Sequence, residues 1–186
     1  MVQIKKNIVT KGFSGKLDTI VFRVRGGKTI VATAPEKKDH ELSPSQKNRR
    51  KAFQEAILYG KSVLANPELK QQYQEQAEED QSAYNVAVAD FLNAPSIENI
   101  DVSKFTGQAG SIITVEAMDD FKVAEVQVLI CSSDGTLVES GFAVQQPNTA
   151  NWVYTATTTN NSIAGDKVVV RASDIPGNLT QLESNL

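Results

Sequence analysis

From Ile97 to Leu182 the apolar residues recur at every second position, in short runs broken at regular intervals by Gly, Asp, Asn and Pro. A period of two puts alternate side chains on opposite faces of an extended chain, so this stretch cannot bury an apolar face as a helix. The runs are residues 97–100, 111–117, 123–131, 137–144, 151–157, 167–172 and 179–182. Seven short strands at this spacing predict a β-sandwich of about 90 residues.

The first half is built differently. In residues 17–34, Ile20, Phe22 and Val24 alternate with Val21, Arg23 and Arg25, and a second β-rich run follows Gly26-Gly27. A Gly-Gly pair between two such runs predicts a two-residue hairpin, because both turn positions need positive φ. Residues 11–16 before it read as a loop, with residues 4–10 a candidate earlier strand. After a charged linker over residues 35–42, Ser43-Pro44-Ser45-Gln46 reads as a capping box with Pro at the first helical position. Phe53, Ala56, Ile57, Gly60 and Leu64 then keep helical spacing. Asn66-Pro67 ends this helix and caps a second, expected from Glu68 to about Leu92, with Leu69, Tyr73, Tyr84, Ala87, Val88 and Phe91 as its core and Ala94-Pro95 as its stop. The expected fold class is therefore α+β: an N-terminal β-hairpin plus two helices over residues 1–94, then a seven-stranded sandwich over residues 95–186.

Charge divides along the same line. Residues 1–62 hold 14 Lys/Arg against 5 Asp/Glu, and residues 63–186 hold 5 against 17. Such asymmetry between halves points to an anionic partner on the basic side. The cations fall in two groups. Arg23, Arg25 and Lys28 come from the hairpin, with Lys37 and Lys38 in the linker behind it. Lys47, Arg49, Arg50 and Lys51 occupy the first turns of the first helix. Cations at a helix N-terminus oppose the macrodipole by about 0.3–1 kcal/mol each, so their placement asks for a reason outside the helix. Arg23, Arg25, Lys28, Lys47, Arg49, Arg50 and Lys51 are the candidate partner-binding residues. A protein partner or self-association is the first expectation. Nucleic acid is the alternative, since a helix beside a β-ribbon also suits phosphate contacts.

Catalytic chemistry finds little support. His40, the single His, sits in the linker, and the single Cys131 lies in the apolar run 126–131, where it reads as a small buried hydrophobe. One His and one Cys make neither a structural zinc site nor a well-supported nucleophile–base pair. Gly26-Gly27-Lys28-Thr29 suggests a phosphate loop, but Phe22 stands where that motif needs its first Gly, and the stretch joins strands rather than opening a helix. Asp101, Asp119, Asp120 and Asp174 are candidates for an oxygen-rich Ca2+ site at one end of the sandwich, although Asp is also an ordinary turn residue. The expectation is thus no enzyme, no cofactor, no metal and no small-molecule substrate. One Cys allows no intrachain disulfide, and no apolar segment has the about 18–20 residues of a membrane span. Without a secretory leader, Asn160-Asn161-Ser162 and Asn178-Leu179-Thr180 are chance matches to the glycosylation pattern, and a cytoplasmic location without membrane insertion is expected.

Two stretches resemble known groups. Asp119-Asp120-Phe121-Lys122-Val123-Ala124-Glu125-Val126, then Asp134-Gly135, Trp152-Val153-Tyr154 and the string from Val170 to Asn178 resemble bacterial immunoglobulin-like domains. That resemblance implies an immunoglobulin-like sandwich over about residues 97–183, a turn made by Gly177 and Asn178 into the last strand, a core Trp152 without a disulfide beneath it, and a scaffold role. Gly12-Phe13-Ser14-Gly15-Lys16, Gly27-Lys28-Thr29, and Ser43 or Ser45 with Gln46, Arg50, Phe53 and Ala56 resemble a group of small uncharacterised proteins of Bacteroidota-type genomes. This second resemblance implies an origin and no particular chemistry.

Overall fold

The computed structural model describes residues 2–4 by their backbone, and residues 12–25, 27–34 and 41–186 in full. His40, Lys37, Lys38, Gly26 and most of the candidate strand over residues 4–10 lie outside the described residues. By contacts the chain forms two compact units, residues 1–47 and 48–186. The helical region after residue 48 thus belongs to the same unit as the strands that follow it.

The first unit is an antiparallel sheet of four strands, β1 (Val2–Ile4), β2 (Gly15–Leu17), β3 (Ile20–Arg25) and β4 (Lys28–Thr33), in the order β1-β4-β3-β2. The expected hairpin is β3–β4, closed with Arg25 opposite Lys28 and Gly27 at φ 69°. It has a neighbour on each side. β2 runs through part of the stretch read as a loop, because Asp18-Thr19 makes a second tight turn that sets Leu17 opposite Ile20. Asp18 takes φ 52°, a conformation a short polar side chain tolerates.

Three helices follow, α1 (Pro44–Ala65), α2 (Pro67–Glu75) and α3 (Ala83–Leu92). The capping box forms: the Gln46 backbone N–H donates to Ser43 Oγ at 3.3 Å, and the Ser43 N–H donates to Gln46 Oε1 at 2.9 Å. Asn66 caps α2 through the N–H groups of Glu68 and Leu69. On α1 the buried stripe is Ala56, Gly60 and Val63, whereas Phe53 and Leu64 are exposed. Small residues win this face because the neighbouring helix comes close: a Cβ on Gly60 would stand 2.8 Å from the Tyr84 ring and 2.9 Å from Val88. The single second helix of the sequence reading is two. Glu78-Glu79-Asp80 falls in the break between α2 and α3. Ser82 restarts the chain as a helix by accepting from the Asn85 N–H.

The remaining strands are β5 (Ser96–Asp101), β6 (Ile112–Met118), β7 (Val123–Cys131), β8 (Leu137–Phe142), β9 (Val144–Gln145), β10 (Asn151–Thr155), β11 (Lys167–Asp174) and β12 (Leu179–Asn185). They form two antiparallel sheets, β5-β6-β10-β9 and β12-β11-β7-β8. Seven expected runs thus become eight strands. The run 137–144 divides at Ala143, whose N–H bonds to Val126 O while β9 leaves β8's sheet to pair with β10. One buried cluster draws on both sheets: Ile113 and Val115 of β6 and Trp152 and Tyr154 of β10, with Val126, Val128 and Ile130 of β7 and Val168 and Val170 of β11. Cys131 corrects its expected burial: it follows inward Ile130, so alternation turns it to the other face, where it is half-buried. Among the described residues no helix is long and apolar enough to cross a membrane.

Candidate functional site

The seven predicted contact residues fall into two sets. Cross-strand pairing places Arg23 opposite Ile30, Arg25 opposite Lys28 and Lys16 opposite Val21, so Lys16, Arg23, Arg25 and Lys28 share one face of the first sheet. All four are exposed, and none has a carboxylate within ion-pair distance among the described residues. Lys47, Arg49, Arg50 and Lys51 begin α1. Helical spacing gathers Lys47, Arg50 and Lys51 on one side and sends Arg49 toward the side of Phe53 and Ala56. Lys47 meets Glu41 at 3.6 Å and Lys51 meets Glu55 at 3.9 Å, exposed pairs of the kind that contribute little.

A second constellation lies in the other unit, where α3 meets the turns of the two sheets. Asp90, Asp119 and Asp174 each bring a carboxylate oxygen within 4.8 Å of the others. Asp90 and Asp174 are buried, at 1% and 4% exposure, and Asp119 is half-buried. Each is held by its own local chemistry. Asp119 Oδ2 accepts from the N–H groups of Phe121 and Lys122, closing the turn between β6 and β7. Asp174 Oδ1 accepts from the N–H groups of Gly177 and Asn178, in the turn before β12. Asp90 Oδ2 accepts from Tyr73 OH at 2.5 Å, so in the 2.8 Å contact between the two phenols Tyr59 donates to Tyr73. The phenol rings are also locked, Tyr73 stacking on Phe121 with centroids 4.1 Å apart.

Asn178 ties these parts together. Its Nδ2 donates to the carbonyls of Asp90, Phe91 and Asn93 at 3.2–3.3 Å, and to Asp174 Oδ2 at 2.7 Å. It thereby links the last turn of α3 and its C-cap residue Asn93 to the turn before β12, adding to the Asn93 N–H that already reaches the Asp90 carbonyl.

Three carboxylates this close in a buried place repel one another. Burial pushes the Asp90 carboxyl up to about 7; the Tyr73 hydrogen bond opposes this, and the charges of Asp119 and Asp174 add to it. Asp90 Oδ1 and Asp119 Oδ1 are both buried and have no hydrogen-bond donor.

Of the four aspartates the sequence suggested for a cation, the structure brings only Asp119 and Asp174 together. Asp120 accepts from Asn93 Nδ2, and Asp101 is spent on the Ser103 N–H. Asp90 was missed, although it completes the spacing Ala83, Ala87, Asp90 on the buried stripe of α3. An acid on an otherwise small and apolar stripe is the signal that marks it.

No family model matches the chain, and no curated protein matches it. Among solved structures the chain is similar to a part of an engineered protein, a Northeast Structural Genomics Consortium target, at 20% identity and a TM-score of 0.33. The match covers 41% of this chain and 15% of that one.

Proposed function

We propose that the chain is a non-catalytic binding or assembly module whose basic N-terminal residues engage an anionic protein surface, with an immunoglobulin-like sandwich as the scaffold. The observation that carries this reading is the face of the first sheet with Lys16, Arg23, Arg25 and Lys28 exposed and unpaired among the described residues. Arg25 directly opposite Lys28 works against the hairpin, since like charges across a strand pair are destabilising. An acidic partner relieves that repulsion. The acidic segment from residue 63 onward, in a second copy of the chain, has the required charge.

The scaffold reading is supported by strand order. A four-stranded β5-β6-β10-β9 sheet and a second sheet with β11 between β12 and β7 follow the order of immunoglobulin-type sheets, with β8 as the added edge. The Gly177–Asn178 turn into β12 fits the same resemblance, whereas the buried Trp152 stands on β10 and not on the strand that carries the core Trp of antibody domains. A non-catalytic role is supported by the outward, half-buried setting of Cys131 and by the use of Lys28 as a hairpin residue rather than part of a phosphate loop.

The test is binding of the full chain to polyglutamate and to short duplex DNA, with the R23A/R25A/K28A variant alongside. These side chains are exposed, so the variant folds as the parent does. Polyglutamate affinity falls about tenfold or more in the variant and falls with added salt. Unchanged polyglutamate binding in the variant contradicts the proposal. Binding to DNA alone moves the function to nucleic acid.

A further inference from the structure

We infer that Asp90, Asp119 and Asp174 form a site for one hard divalent cation, Ca2+, which joins the end of α3 to the turns of the two sheets. The spacing fits: Ca2+ takes oxygen ligands at about 2.3–2.6 Å, so its ligand oxygens lie within about 5 Å of one another. One oxygen from each of the three carboxylates meets that condition, all lying within 4.8 Å of one another.

The second line of argument is the pair of oxygens left without donors. Asp90 is 1% exposed, and its Oδ1 has no hydrogen-bond partner; Asp119 Oδ1 is likewise buried and bare. An oxygen of each of the two carboxylates lies within 4.8 Å of the other. Buried acceptors are otherwise nearly always satisfied, and buried charge is paired or coordinates a metal. The three salt bridges among the described residues involve none of these acids. A proton between the acids satisfies one contact and leaves two negative charges in place. A divalent cation satisfies both bare oxygens and takes three charges to one. The half-buried Asp119 provides the solvent side through which the ion and its waters enter. Tyr73 fixes the other oxygen of Asp90, and the β6–β7 turn fixes that of Asp119. Asp174, whose two oxygens both accept hydrogen bonds in the turn before β12, binds the ion through a remaining lone pair, so the ligands are held in place before the ion arrives.

The experiment uses the full chain, freed of metal by a chelator, at neutral pH. Thermal unfolding is followed during a Ca2+ titration, and Tb3+ is used as a luminescent probe excited through the tyrosines. Tyr73 touches Asp90 directly and is the ring placed to sensitise a bound ion. The expected result is a saturable rise in melting temperature, and Tb3+ emission at one ion per chain that Ca2+ displaces. Two variants keep the local hydrogen bonds. Asp119→Asn retains an acceptor for Phe121 and Lys122, and Asp90→Asn retains one for Tyr73 while adding a donor beside the bare oxygen of Asp119. Each weakens the ion by about tenfold or more, through the loss of one of three anionic ligands. Asp90→Asn also melts no lower than the metal-free parent, a result that separates loss of the site from loss of the fold. No response to Ca2+ or Tb3+ in the parent overturns the assignment. So does a response of equal strength in both variants, which would place the ion on exposed acids such as Glu78 to Asp80.

Discussion

Replacing Glu139 by Ala lowers the stability of the second unit by about 3–5 kcal/mol, read as a fall in the denaturant midpoint at neutral pH. Glu139 is buried on β8 and gathers four donors. Tyr154 OH and the Thr157 N–H reach Oε1 at 2.6 Å, Thr157 Oγ1 reaches it at 2.8 Å, and the Thr158 N–H reaches Oε2 at 3.2 Å. Alanine leaves the buried Tyr154 OH without its acceptor and removes a charged acceptor from the three donors of Thr157 and Thr158, which sit at the exposed edge of the site. Hydrogen bonds to a charged group are the strong ones. Glu139→Gln keeps the shape but turns an amide donor toward one set of these donors, so it costs less than Ala and more than a surface change. The pH dependence follows from the same bonds. Burial alone would raise the Glu139 carboxyl, but the donated hydrogen bonds outweigh it and hold the group below its ordinary 4.5. A depressed folded value means the stabilisation is complete above the unfolded value and is lost as pH falls through the folded one. The parent therefore loses stability below about pH 4.5, and this loss is absent in Glu139→Gln. A Glu139→Ala protein within 1 kcal/mol of the parent would show that water or rearrangement replaces the carboxylate.

Asn178→Ala has the next largest effect, about 2–4 kcal/mol, together with faster hydrogen exchange in α3. One side-chain amide serves the carbonyls of Asp90, Phe91 and Asn93 and the Asp174 carboxylate. Its loss leaves the end of the helix with only the Asn93 N–H bond to the Asp90 carbonyl and frees an oxygen of a buried acid. Asn178→Asp removes the same donors and adds a fourth acid beside Asp90, Asp119 and Asp174, so it is at least as damaging. Exchange in α3 unchanged from the parent would mean that the helix is held by its apolar contacts alone. The glycosylation pattern at Asn178 fits the same account, because this amide is occupied within the fold.

Local patterns carried most of the fold. The strands from 97 to 182, the hairpin at Gly27 and the capping box at Ser43 were legible because each depends on neighbours a few residues away. What escaped depends on distant contacts. Gly60 outranks Phe53 on α1 only because Tyr84 and Val88 press against it. The run 137–144 looks like one strand, but Ala143 is claimed by Val126 and its end goes to the opposite sheet. β2 escaped since Asp18-Thr19 is a weaker turn signal than Gly-Gly. The site divides in the same way. The basic residues were visible as a count of charges, and the register of the hairpin was needed to set Lys16 beside Arg23, Arg25 and Lys28. Asp119 and Asp174 stood out as turn acids, whereas Asp90 was hidden in a helix 84 residues before Asp174. Only the packing of α3 against the turns brings the three together.

The central claim is that the basic N-terminal residues bind an acidic protein surface, with a second copy of the chain as the partner that fits. Light scattering after size-exclusion chromatography tests it most directly, with the concentrated full chain at about 50 mM and about 200 mM salt, with and without short duplex DNA. The account predicts a mass above one chain at low salt that falls toward the monomer at high salt, with DNA making no difference. A monomer at both salt concentrations that shifts only when DNA is added would contradict it.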